Sequence, residues 1–125
     1  MATATQTNTQ NAVEFFKAKL AYTTNPYDIH NRLKDSNTVI LDVRDQESYK
    51  KEHIPGAKNV PLSELAKHIA TLPKNKTLVT YCWSLTCWAA PKAALQLAEK
   101  GFKVQELVGG IKEWKANGFD VESSK

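Results

Sequence analysis

Cys82 and Cys87 are the chain's only cysteines, five positions apart. Two cysteines cannot build a disulfide framework or, alone, a four-ligand zinc site. The two-residue spacing of dithiol relays is also absent. Chemistry at these positions is therefore thiolate chemistry. Cys82 follows Thr77-Leu78-Val79-Thr80-Tyr81, which reads as a buried strand, and precedes a helix expected over 88–100. A helix N-terminus carries unpaired N–H groups and a partial positive charge of about half a unit. Both stabilise an anion in the preceding loop. The arrangement predicts a lowered pKa for Cys82 and a nucleophile that needs no neighbouring histidine. The same amides could hold an anionic sulfur carried on that cysteine. The alternative is a small apolar residue packed at a strand end, a common fate of free cysteine.

Other side chains are weighed against this pair. Asp42 and Arg44 end an earlier strand, where a carboxylate–guanidinium pair holding loops is the expected role and substrate contact by Arg44 the alternative. His53 is a histidine, the residue type most used as a general base, and invites that role, with a structural role as the alternative. Trp83 and Trp88 bracket the cysteine loop and could wall an apolar mouth or a partner surface. The only arginines are Arg32 and Arg44, so nothing after residue 44 offers a guanidinium.

The elements that must position these groups follow from pattern. The 125 residues, 42% apolar and 24% charged, suit one globular domain. Net charge is +4 without a basic stripe, which gives no nucleic-acid footprint. No apolar run is long enough to span a membrane. The polar opening MATATQTNTQ lacks a secretory pattern, so the expectation is a disordered tail over 1–10 and a cytoplasmic location. A short helix is expected over 12–18 and a strand at 20–22. Asn25-Pro26 is a helix start for 26–35. Residues 38–43, almost all apolar, read as a strand buried on both faces. Helices follow at 46–52 and 63–72, a strand at 103–108, and a last helix after Gly109-Gly110 carrying Ile111 and Trp114. Alternating strands and helices predict an α/β domain over 11–122, with a mainly parallel central sheet and helices on both faces. Residues 123–125 are a tail. In such folds ligands bind beyond the carboxyl ends of the strands, where the loop after Tyr81 lies.

Particular segments carry a resemblance. Leu41-Asp42-Val43-Arg44, His53-Ile54-Pro55-Gly56-Ala57 with Asn59-Val60-Pro61, Thr80-Tyr81-Cys82, and Gly109-Gly110-Ile111 with Trp114 resemble, in order, the landmarks of the rhodanese-like domain. The resemblance covers roughly residues 18–122 and implies sulfur transfer. The cysteine matching Cys82 takes a sulfane sulfur from thiosulfate or a persulfide donor, holds it as a persulfide, and passes it to a thiophilic acceptor. It implies that the backbone N–H groups of Trp83, Ser84, Leu85, Thr86, Cys87 and Trp88 bind the outer sulfur. Asp42, Arg44 and His53 are supporting residues. No cofactor or metal is implied. The expected partner is a small sulfur-containing substrate or a persulfide donor protein, for a monomer or weak dimer.

A loop running from Cys82 to Cys87 has the sulfurtransferase length. Related phosphatases and arsenate reductases use one residue more and a closing arginine, which this chain lacks. Many sulfurtransferases read Cys-x-x-Gly-x-Arg, where this chain has Leu85 and Cys87 in place of the glycine and arginine. Without that cation thiosulfate is expected to be a poor donor. Cys87 is a candidate resolving thiol for a Cys82 persulfide or sulfenic acid. A thiol redox switch built on both cysteines, and a non-catalytic binding module, are the alternative functions.

Overall fold

A computed structural model describes residues 4–124. Five strands form one parallel sheet: β1 Thr23–Thr24, β2 Thr38–Asp42, β3 Lys58–Asn59, β4 Thr77–Tyr81 and β5 Lys103–Leu107, in the order β1-β5-β4-β2-β3. Six helices surround it: α1 Ala4–Tyr22, α2 Pro26–Asn31, α3 Gln46–Lys51, α4 Leu65–His68, α5 Ala89–Glu99 and α6 Gly110–Ala116. The α/β architecture with a parallel sheet is as the alternation of elements predicts.

Side chains alternate across each strand, so the central strands feed two cores. Leu41, Val43, Leu78 and Cys82 face one side and pack with Ala90, Ala93 and Leu97 of α5. Ile40, Val79 and Tyr81 face the other side and pack with Ile29 of α2 and Ile111 and Trp114 of α6. The inward face of α5 is thus Ala90, Ala93 and Leu97, with small residues at its start that let the helix sit close to β4. A hydrogen bond from the Thr80 hydroxyl to the Ala90 carbonyl, 2.9 Å, fixes that approach.

Several boundaries differ from the sequence reading. Residues 4–10, expected in a disordered tail, belong to α1, as do 12–18 and the strand expected at 20–22; residues 1–3 lie outside the described residues. No glycine or proline interrupts the chain before Pro26, so the helix runs on, although residues 8–22 are exposed on every side. The edge strand falls instead on β-branched Thr23 and Thr24, which pair with Glu106 and Leu107. The helix expected over 63–72 is split into α4 flanked by 3₁₀ turns at Leu62–Glu64 and Ile69–Thr71. At the other end the expected tail is tied down. His53 and Glu122 exchange backbone hydrogen bonds of 2.8 and 2.9 Å, and the Ser124 amide reaches the Lys50 carbonyl at 3.0 Å. Lys125 lies outside the described residues. No helix among the described residues is long and apolar enough to cross a membrane.

Candidate active site

Tyr81 and Cys82 are adjacent, so the pleat sends them to opposite faces at the carboxyl end of β4. Tyr81 enters a buried polar brace. Its hydroxyl donates to Asp42 Oδ2 at 2.6 Å and accepts from the Ile54 amide at 3.1 Å. The Arg44 guanidinium donates to the same carboxylate, at 3.0 and 3.1 Å through Nε and 2.6 Å through Nη2. Nη2 also reaches the Glu52 carbonyl at 2.6 Å. Both side chains of the pair are essentially inaccessible to solvent, at 1% and 0% exposure. Burial alone would lower the Arg44 pKa, but the Asp42 carboxylate outweighs it and holds it above its usual value. One buried atom of the brace, Arg44 Nη1, has no hydrogen-bond partner. The indole of Trp83 lies over the guanidinium, 4.6 Å from ring centroid to Cζ.

His53 belongs to the brace side as well. Its Nδ1 lies 2.8 Å from the Tyr49 carbonyl, its ring stacks on Tyr49 at 3.8 Å, and Nε2 stands 3.6 Å from Glu122. These partners fix a buried ring between α3 and the C-terminal segment. The supporting trio Asp42, Arg44 and His53 is therefore gathered on the face opposite Cys82.

Cys82 faces α5 and is 2% exposed. Its position is set by the start of α6. The Ile111 and Lys112 amides donate to the Cys82 and Trp83 carbonyls at 3.0 and 2.9 Å. Gly109 and Gly110 make this approach possible, with φ of +91° and +60°. A Cβ on Gly110 would collide with the Cys82 carbonyl oxygen and lie 2.8 Å from the Trp83 carbonyl carbon. The loop then curls back so that Cys87 meets Cys82. The Cys82 thiol donates to the Cys87 carbonyl oxygen at 3.4 Å. The turn closes with a bond from the Cys87 amide to the Ser84 carbonyl, 3.1 Å. Leu85 needs no left-handed backbone for this, since every positive φ among the described residues is at glycine.

The six loop amides divide into three groups. That of Cys87 is used inside the turn. That of Trp83 faces both sulfurs. Those of Ser84, Leu85, Thr86 and Trp88 donate to no protein acceptor among the described residues. The first amides of α5 complete the set: Ala90 faces Cys82 and Ala89 faces Cys87. Nothing in the side chains of these alanines marked them. The signal was their place at the helix start.

The expected lowering of the Cys82 pKa does not occur. Burial and the neighbouring Cys87 push the thiol up to about 12, against the weaker support of the Ala90 and Trp83 amides. For Cys87, burial works upward, but the Cys82 thiol and the Trp83 and Ala89 amides outweigh it and bring the pKa below its usual value. The first proton to leave the pair therefore puts the charge on Cys87.

The loop separates two clefts. One, of about 710 Å³, is lined by Trp83, Ser84 and Ile111, with Lys51, Lys112 and Lys115 at its walls. The other, of about 590 Å³, runs between α1 and the start of α5, past Phe15, Tyr22, Leu85, Trp88 and Cys87. The three lysines were not singled out in the sequence, because they come from two helices far apart in the chain. No group of three or more His, Cys, Asp or Glu side chains is gathered as a metal would need among the described residues.

Comparison with known proteins identifies the family of this fold. The rhodanese-like domain family matches residues 25–117. A thiosulfate sulfurtransferase of Coxiella burnetii is 37% identical over 94 residues, covering 74% of this chain and 86% of that protein. An HTH-type transcriptional regulator of Mycobacterium tuberculosis is 36% identical over 91 residues, 73% of this chain; the match spans only 40% of the regulator. Among solved structures, the BH2092 protein of Bacillus halodurans superposes with a TM-score of 0.85 at 36% identity, covering 92% of this chain and 86% of that one. By sequence and by fold, this chain belongs to the rhodanese-like domain family.

Proposed function

We propose that this protein is a sulfurtransferase that carries a sulfane sulfur on Cys82. One observation carries the reading: Cys82 follows β4 under the first amides of α5, at the base of a loop whose Ser84, Leu85, Thr86 and Trp88 amides have no protein acceptor among the described residues. A second sulfur on Cys82, bearing negative charge, would be the anion such a cradle suits. Likeness to a thiosulfate sulfurtransferase over most of both chains supports it.

In the first half-reaction the Cys82 thiolate attacks the sulfane sulfur of the donor. The sulfur–sulfur bond of the persulfide forms, and the donor leaves as sulfite from thiosulfate or as a thiolate from a persulfide. In the second, a thiophilic acceptor attacks the outer sulfur and Cys82 leaves as thiolate. The raised pKa means that the resting thiol must first lose its proton. With no arginine in the loop, the exposed cations of the Trp83 cleft are Lys51 and Lys112, Lys115 being paired there with Glu52 at 2.7 Å. They suit a small persulfide with carboxylates, or an acidic donor surface, better than thiosulfate alone. We place this chemistry in the cytoplasm, where both cysteines stay reduced.

The test is sulfur loading followed by intact mass. Cys87→Ser treated with thiosulfate, and in parallel with benzenethiosulfonate, should take up one sulfur, and Cys82→Ser none. Equal uptake by Cys82→Ser would sink the assignment, and a folded Cys87→Ser that accepts sulfur from neither donor, beside a wild type that releases no sulfinate from benzenethiosulfonate, would leave a binding module.

A further inference from the structure

We propose that Cys87 is a resolving thiol: it attacks the Cys82 persulfide and releases the carried sulfur as hydrosulfide, so the loop is also a sulfane-sulfur reductase centre. The inference rests on the Cys82 persulfide reading above and adds a second activity to it.

Three features of the loop carry it. The Ser84–Cys87 turn curls the chain back onto Cys82 and sets the Cys82 sulfur 3.4 Å from the Cys87 carbonyl oxygen, so the two cysteines lie against each other. Both cysteines are free thiols in this arrangement. Their environments differ in the sense that resolution requires. Cys82 is buried, whereas Cys87 is half-buried and opens on the cleft between α1 and α5. The Trp83 and Ala89 amides face the Cys87 sulfur and favour its ionised form, the form that attacks. A transferred sulfur on Cys82 would thus sit beside a second nucleophile inside its own pocket.

The step balances without an outside oxidant. The Cys87 thiolate attacks Cys82 Sγ, a Cys82–Cys87 bond forms, and the bond from Cys82 Sγ to the outer sulfur breaks. The outer sulfur leaves as hydrosulfide and keeps the electron pair of the broken bond. It gains the two electrons that the two thiol sulfurs lose on becoming a disulfide. A dithiol reductant then reopens the disulfide by thiol–disulfide exchange, starting from the more accessible Cys87 sulfur.

The experiment is a single anaerobic turnover with no added thiol. Benzenethiosulfonate is the donor, because its leaving group is a sulfinate and any hydrosulfide must come from the protein. Wild type should release one hydrosulfide per chain and yield a Cys82–Cys87 disulfide on peptide mapping. Cys87→Ser and Cys87→Ala should instead keep one sulfur on Cys82 and release no hydrosulfide. Cys82→Ser should do neither. Wild type that holds its sulfur on Cys82 as stably as the Cys87 variants overturns the proposal. So does a persulfide that moves to Cys87, which would make it a relay. Cys87 variants that take up no sulfur, alongside a wild type that takes up none, would instead bring down the persulfide reading beneath it.

Discussion

Tyr81 and Cys82 are consecutive, yet they serve regions of opposite character. On the Tyr81 side, one carboxylate organises the end of β2. Asp42 accepts from the Arg44 side chain, the Arg44 amide and the Tyr81 hydroxyl, and Asn59 ties the Asp42 and Arg44 carbonyls together. On the Cys82 side, loop amides are left without acceptors, and Leu85 and Trp88 are 74% and 72% exposed. The first region has spent all but Arg44 Nη1 of its hydrogen-bonding capacity on the fold, and the second, on the function proposed above, keeps its own for a ligand. The pleat alone separates them, and the Trp83 indole over Arg44 is where they touch. The lesson is that the chain's most strongly charged buried site is structural. The proposed reactive site lies across the sheet, in a loop without an arginine or lysine.

The sharpest way to break this comparison is to remove Arg44. Arg44→Leu leaves the Asp42 carboxylate buried without its cation, a change that costs about 3–5 kcal/mol for a buried pair. Urea unfolding should show that loss. The double variant Asp42→Leu/Arg44→Leu should recover part of it, because no charge is then stranded. A loss below about 1 kcal/mol for the single variant would place the pair among surface-like ion pairs and dissolve the contrast.

The opposite perturbation strikes the loop through α6. Gly110→Ala puts a Cβ onto the Cys82 carbonyl at a left-handed position, so Cys82 and Trp83 must shift. The expected cost is about 1–3 kcal/mol of stability. Sulfur loading should be slowed in the fraction that remains folded. If that fraction loads at the wild-type rate, the α6 start does not set the position of Cys82.

These two regions were unequally legible in the sequence. The parallel α/β order and the buried strands over 38–43 and 77–81 followed from apolar runs, because central strands of a covered sheet carry little else. The Asp42–Arg44 pair was readable as a brace from its place at a strand end. Cys82 was readable from the strand–loop–helix spacing. Its pKa was not, because the spacing shows the helix start but not how deeply the sulfur is buried or that Cys87 folds onto it. The Ala89 and Ala90 amides were invisible because backbone groups have no residue code. The length of α1 was hidden too, since its apolar residues form no single inward stripe.

A third prediction concerns the ionisation of the loop. With the Cys82 thiol raised to about 12, the thiolate fraction near neutrality is small and grows about tenfold per pH unit below that value. The initial rate of sulfur loading should therefore rise steadily from pH 7 to 10, without a plateau. Cys87→Ala removes one of the two causes of the raised value, leaving burial alone opposed by the Ala90 and Trp83 amides. Its loading profile should move to lower pH and its rate near neutrality should rise. A plateau near pH 8 in wild type would mean that the amides outweigh burial, and the loop would be as pre-charged as its helix start suggests.

The smallest effect belongs to the other arginine and completes the comparison. Arg32 also pairs with an aspartate, donating to Asp28 at 2.8 Å, but the two side chains are 22% and 47% exposed. The Asp28 carboxyl is held below its usual value first by the Thr24 hydroxyl, at 2.5 Å, with burial acting in opposition and Arg32 adding less. Removing the guanidinium therefore strands nothing, since water and Thr24 remain to solvate the carboxylate. Arg32→Ala should cost at most about 1 kcal/mol, by the same urea measurement, and less at high salt. A cost approaching that of Arg44→Leu would trace to the uncharged bonds Arg32 makes to Gln105 of β5, 2.9 Å, and Thr38 of β2, 3.3 Å. Those bonds span β4 from one neighbouring strand to the other, and unlike the ion pair they would not weaken with salt.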